Sequence, residues 1–137
     1  MKQIIVGVDG SPESRAATKK AAELAAATHA LLRLVCVIPP FEAFRNVVAS
    51  PRERSEVRAA ASSIIDEVAQ DVGSGVPIEK EIGDGTPAEV LAGLAAQPEV
   101  DMVVVGHRGR GKLERILIGS VADRLVQISP KPVLVVH

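Results

Sequence analysis

The chain has 137 residues, 47% of them hydrophobic and 24% charged, which is enough for one globular domain with a substantial core. Sixteen basic against seventeen acidic residues leave a formal charge of −1, so no global field draws the protein to nucleic acid or a membrane, and any electrostatic function is local. No apolar stretch approaches the roughly 20 residues that span a bilayer. The single Cys36 excludes a disulfide framework and points to a reducing, cytoplasmic setting.

The first predicted strand, Ile4 to Val8, starts so close to residue 1 that no signal peptide is expected. Ser11 and Pro12 open the first helix as a hydroxyl N-cap and a proline at the first helical position, and its small apolar face follows Ala17, Ala21, Leu24 and Ala25. Leu31 to Ile38 reads as a second strand, apolar apart from Arg33. Residues 39–52, with Pro39, Pro40 and Pro51, form a long connection that carries Phe41 and Phe44, the only aromatic residues of the chain. A helix from about Glu53 to Val72 follows, with Val57, Ala61, Ile64, Ile65, Val68 and Val72 on one face. Pro77 to Ile82 is more polar and reads as a short edge strand. Thr86, Pro87 and Glu89 have the spacing of a capping box at the start of the third helix. Met102 to Val105 is a strand, a fourth helix starts near Ser120 and ends before Pro130, and Val133 to Val136 is the last strand.

Strands alternating with helices predict an α/β fold, a parallel sheet with helices on both faces, and near-continuous apolar strands fit burial on both sides. In open parallel sheets, ligands bind beyond the carboxyl ends of the strands, where strand order reverses. The loops leaving the first and fourth strands are expected there. The first carries Asp9, which can accept from a ribose hydroxyl or an exocyclic amine, and which can equally cap the turn into the first helix. The second has three glycines in the six residues from Gly106, with Arg108, Arg110 and Lys112 beside them and a further Gly119-Ser120 at the next helix. Glycine lets backbone N–H groups turn inward, and a helix N-terminus adds unpaired donors. That chemistry suits a polyphosphate.

These residues resemble the universal stress protein family, in its nucleotide-binding branch. The likeness runs from Ile4, through Asp9, Gly10 and Ser11, to Val136. Its specific motif is Gly106, two residues, Gly109, nine residues, then Gly119 and Ser120. The resemblance implies a single universal stress protein domain over residues 1–137, an adenine nucleotide alpha hydrolase-like fold with an open five-stranded parallel sheet of order 3-2-1-4-5, and pairing as a homodimer. It further implies ATP as ligand; for Mg²⁺ or Mn²⁺ the residues themselves offer Asp9 and the bound phosphates, so the ion is expected to be held mainly by the phosphates without a protein cage. Asp9 would hold the adenine or ribose, with Gly7, Val8 and Val37 lining the base. Backbone amides of Gly106, Gly109, Gly119, Ser120 and Val121 would hold the phosphates, with the Ser120 hydroxyl adding a contact, beside the Arg108 charge in the loop. One departure is His107, where many relatives carry a small polar residue.

Other readings fail on particular residues. Gly106 to Lys112 approaches a Walker A loop, but Leu113 replaces the hydroxyl that would bind Mg²⁺. Lys131-Pro132 also occurs in phospho-receiver domains, but the acidic pair expected after the first strand is missing. The basic loop lacks the aromatic rings on which single-stranded nucleic acid stacks. No histidine, cysteine and carboxylate spacing suggests a metal site, and Ser11 and Ser120 have no histidine partner for nucleophilic catalysis. Without a general base near the phosphate loop, the expectation is ATP binding with at most slow hydrolysis in a stress-response regulator. A dimeric scaffold with a vestigial site is the alternative. The apolar edge Val133 to Val136 is the expected homodimer contact, because Glu79, Lys80 and Glu81 discourage pairing at the other edge.

Overall fold

The structure, a computed structural model, describes residues 1–40, 50–107 and 120–137. In chain order the elements are β1 (Gln3–Gly7), α1 (Pro12–Thr28), β2 (Leu31–Ile38), α2 (Pro51–Val72), β3 (Ile78–Asp84), α3 (Pro87–Ala95), β4 (Val100–Gly106), α4 (Ser120–Ile128) and β5 (Val133–Val136). All four strand pairings are parallel and the order is β3-β2-β1-β4-β5. The fold class and strand order expected from the sequence are those observed.

Side-chain alternation divides the interior into two layers. Ile4, Val6 and Val8 face the α1/α2 side with Leu32, Leu34 and Cys36, where Ala17, Ala21 and Ala25 of α1 and Ala61, Ile65 and Val68 of α2 cover them. Ile5, Val35, Val103 and Val105 face the other side, under Ala88, Leu91 and Ala95 of α3 and Ala122 and Leu125 of α4. The period-2 pattern of each strand therefore feeds both layers. Alanines on α1 let that helix lie close over β1 and β4. Cys36 is buried, and burial pushes its thiol up from the usual value.

Helix starts follow local chemistry, with one difference from the capping pattern read above. The Ser11 hydroxyl accepts from the Ser14 amide at 3.2 Å, as an N-cap does. α2 begins two residues earlier than the apolar stripe indicates, because Ser50 caps it: its Oγ accepts from the Glu53 amide at 3.1 Å and lies 3.2 Å from the Glu53 carboxylate. Thr86 stands at the N-cap of α3 but its side chain makes no capping bond. The start of α3 rests instead on the Pro87 ring, which pre-sets φ, and on the Thr86 carbonyl, which accepts from Val90 at 2.9 Å.

The ends of the strands opposite the glycine loops are tied by polar groups. Between Gln3 and Ile4 the β1–β4 register slips by one residue. Asp101, the residue left over in β4, accepts backbone N–H bonds from Lys2 and, at 3.2 Å, from Gln3. Arg33, 7% exposed, donates to Gln97 Oε1 at 2.7 Å, Glu81 at 3.0 Å and Gln3 Oε1 at 3.2 Å. A buried guanidinium needs such partners, because an unpaired charge in the interior is costly.

Candidate functional site

The carboxyl ends of β1 and β4 lie side by side at the point where the strand order reverses. A cavity of about 320 Å³ opens there. Its walls are Gly7, Val8 and Asp9 after β1, Val35, Val37 and Pro39 of β2 and its exit, Val105 and Gly106 of β4, Pro87 and Leu91 of α3, and Val121 and Ala122 of α4. Ser11, Glu13 and Ser14 close it from the first turn of α1. Most of the wall is aliphatic, and the polar groups gather on the β1–α1 side. This division suits a flat apolar ring with a polar appendage.

The β1–α1 turn is locked by short-range hydrogen bonds. The Ser11 amide donates to Asp9 Oδ1 at 2.9 Å, the Asp9 amide donates to Ser14 Oγ at 3.3 Å, and Ser14 Oγ donates to the Ser11 carbonyl at 3.2 Å. Gly10 makes the turn possible with φ of +82°. Asp9 therefore does cap its own turn, and it also stands, exposed, on the cavity rim. A carboxylate has two oxygens with about four acceptor positions, so the two roles are compatible. The Val8 amide, one residue earlier, donates to the Val35 carbonyl at 2.8 Å and holds the exit of β1 against β2.

Gly106 is required by contact. A Cβ built there would lie 2.5 Å from the Glu13 carbonyl oxygen and 2.9 Å from the Ser14 nitrogen. The end of β4 thus runs directly against the N-terminal turn of α1, which brings the root of the glycine loop to the cavity. Gly7 is tighter than average: a Cβ would meet Leu91 Cδ1 at 3.1 Å.

Of the residues picked from the sequence, Gly7, Val8, Asp9, Val37, Gly106 and Val121 all line this one cavity. Ser120 is the exposed first residue of α4 and is not among the cavity walls. Arg108, Gly109 and Gly119 lie outside the described residues, as do Phe41 and Phe44. The sequence reading passed over Val35, Val105, Pro87, Leu91 and Ala122. Val35 and Val105 were within reach, because Val35 shares a strand face with Val37, and Val105 precedes Gly106. Leu91 and Pro87 required knowing that α3 crosses over this strand end. Among the described residues, no helix is long and apolar enough to cross a membrane, and no three histidine, cysteine or acidic side chains group as a metal site.

Comparison with known proteins agrees with the geometry. The model of the universal stress protein family matches residues 1–137. A universal stress protein of Mycobacterium tuberculosis is 36% identical over 97% of this chain and 47% of the relative, so the chain spans about half the length of that relative. Among solved structures, a universal stress protein in complex with cAMP is 28% identical, with a TM-score of 0.75 over 99% of this chain and 96% of that one. The universal stress protein of Archaeoglobus fulgidus in complex with dAMP shares the fold, with 19% identity and a TM-score of 0.72 over 100% of this chain and 98% of that one. The strand order, the cavity at its reversal point and a family match over every residue lead to one conclusion: this chain belongs to the universal stress protein family.

Proposed function

We propose that the cavity binds ATP, and that the chain acts as a nucleotide-dependent stress-response regulator with at most slow hydrolysis. The observation that carries this reading is the meeting, at the strand reversal, of an aliphatic wall with the Asp9 rim and Gly106 at the end of β4. Val35, Val37, Leu91 and Val105 would sandwich the base, and Asp9 would accept from the ribose or the base. The amides of Gly106, Gly109, Gly119, Ser120 and Val121, with Arg108, would hold the phosphates. The cAMP complex of a relative 28% identical supports an adenine nucleotide as the ligand class.

Bound ATP supplies a transferable phosphoryl group, but transfer requires a positioned nucleophile and base. The sequence offers no base beside the loop, so the bound state itself is the signal. Mg²⁺ or Mn²⁺ would be held mainly by phosphate oxygens, since such ions keep several waters and need few protein ligands. A cytoplasmic setting and a homodimer through β5 complete the proposal. β5 is an edge strand whose four residues are all only partly buried.

Calorimetry with ATP tests the site. Gly119→Glu places bulk and negative charge where the phosphates would lie and is expected to abolish binding, and wild-type affinity in that variant overturns the assignment. A scaffold with a vestigial site is the competing reading, favoured by the partly exposed edge position of β5. Acid extraction of the purified protein followed by anion exchange separates the two. Co-purified adenine nucleotide supports ATP binding, and a blank with no uptake of added ATP supports the scaffold.

A further inference from the structure

His107 and His137 form a pair that the nucleotide site does not use. Neither lines the cavity. In the parallel β4–β5 ladder Gly106 is opposite Val136, so the next residues, His107 and His137, sit side by side. The His107 amide donates to the Val136 carbonyl at 2.8 Å and pins this rung. Residues paired in register in a parallel ladder project to the same face. The two imidazoles accordingly lie with ring centroids 4.7 Å apart and planes at 40°.

The pair contains an anomaly. His107 is 8% exposed, and its Nε2 is buried with no hydrogen-bond partner among the described residues. Buried polar nitrogens are ordinarily satisfied, and each exception calls for a physical reason. An imidazole nitrogen without a proton is a ligand for borderline-soft cations, and His is the commonest such ligand. His137 is exposed and belongs to the solvent side of the pair.

We propose that His107 Nε2 and a ring nitrogen of His137 form a two-imidazole site for a divalent transition ion of the Zn²⁺, Ni²⁺ or Cu²⁺ class. Bonds of about 2.0–2.1 Å to each nitrogen require the donors to lie within about 4 Å of each other. The ring centroids are 4.7 Å apart, so the proposal requires only that side-chain rotation bring one nitrogen of each ring to that separation. Water completes the coordination, because among the described residues no carboxylate or thiol joins the pair in a group of three. Entry of the ion to the buried nitrogen would require the exposed His137 ring to turn. Hard ions such as Mg²⁺ do not favour two imidazoles, so this site is distinct in chemistry from an ion carried on phosphates.

The chain has three histidines, His29, His107 and His137, so their ring nitrogens can be followed individually by two-dimensional NMR. Zn²⁺ added to the nucleotide-free full chain is expected to bind one per chain, shifting the nitrogens of His107 and His137 and leaving His29 unmoved. His137→Gln, at an exposed position that the fold tolerates, and His107→Gln should each weaken Zn²⁺ binding in calorimetry by about tenfold or more, and His29→Gln should not. The same signals should not respond to Mg²⁺. Equal shifts at all three histidines, an equal response to Mg²⁺, no binding of Zn²⁺, or full affinity in the double glutamine variant would each overturn the site.

Discussion

The α-carbon of Gly106 and the carbonyl of Glu13 are packed so closely that a methyl group between them would sit 2.5 Å from the oxygen. The neighbour is helix backbone, which cannot rotate away. Gly106→Ala is therefore expected to push β4 from the first turn of α1, costing about 1–3 kcal/mol in overpacking and losing nucleotide affinity as the cavity deforms. Urea denaturation and ATP calorimetry on the same preparation check both effects. Unchanged stability would show that the strand end has room to shift.

Asp9 has a structural task and a proposed ligand task that one substitution separates. Asn keeps an oxygen to accept from the Ser11 amide, so Asp9→Asn should leave the melting temperature near that of the wild type. The lost charge should weaken ATP binding about tenfold or more, the range for a hydrogen bond to an ionised group. Equal affinity in the variant would leave Asp9 as a turn residue only.

The outer edge of β5 is open to a sharper test than a change of polarity. Pro132 and Val136 direct their carbonyls to β4, accepting from Val103 at 3.0 Å and His107 at 2.8 Å. Alternate residues address the same neighbour, so Val133 and Val135 turn their amides outward. Val135→Pro removes one outward donor and leaves the β4 ladder whole, as edge strands permit. Monomer with retained secondary structure is expected in sedimentation, and an intact dimer would locate the contact on another face.

Asp101 gives the fold a predictable response to acid. The Lys2 backbone N–H, then that of Gln3, hold its carboxyl below the usual range, with Lys131 adding a smaller effect in the same direction. A depressed carboxyl contributes stability that is fully present above its unfolded value, about 3.9, and is lost as pH falls through the lower folded value. Asp101→Asn should therefore remove part of the decline in melting temperature below pH of about 4, while the curves above it stay parallel. A variant with the wild-type acid limb would assign that limb to other carboxylates.

Much of this architecture was written in short-range patterns. Near-continuous valine and isoleucine runs marked the buried strands, and serine or threonine before proline marked the starts of α1 and α3, whereas Ser50-Pro51 reads as part of the connection before α2. The Thr86 hydroxyl went unused because Pro87 and the first backbone bond suffice, and no residue type reveals that. Asp9 and Gly106 were legible because their chemistry belongs to loops at strand ends. Leu91 was not, since its part in the cavity depends on a crossover that brings α3 over β4, a relation between segments rather than a property of either. His107 was visible as a departure, but its neighbour His137 emerged only with the β4–β5 register.

Cys36 sits on β2 opposite Ile82 of β3, 6% exposed, with its thiol held in the unreactive protonated form by burial. No other sulfhydryl exists in the chain. Its side chain faces the layer under α1 and α2, so an alkylating reagent reaches it when that helix cover lifts, and the rate of its modification is a native stopwatch for opening, readable without a dye or an engineered label.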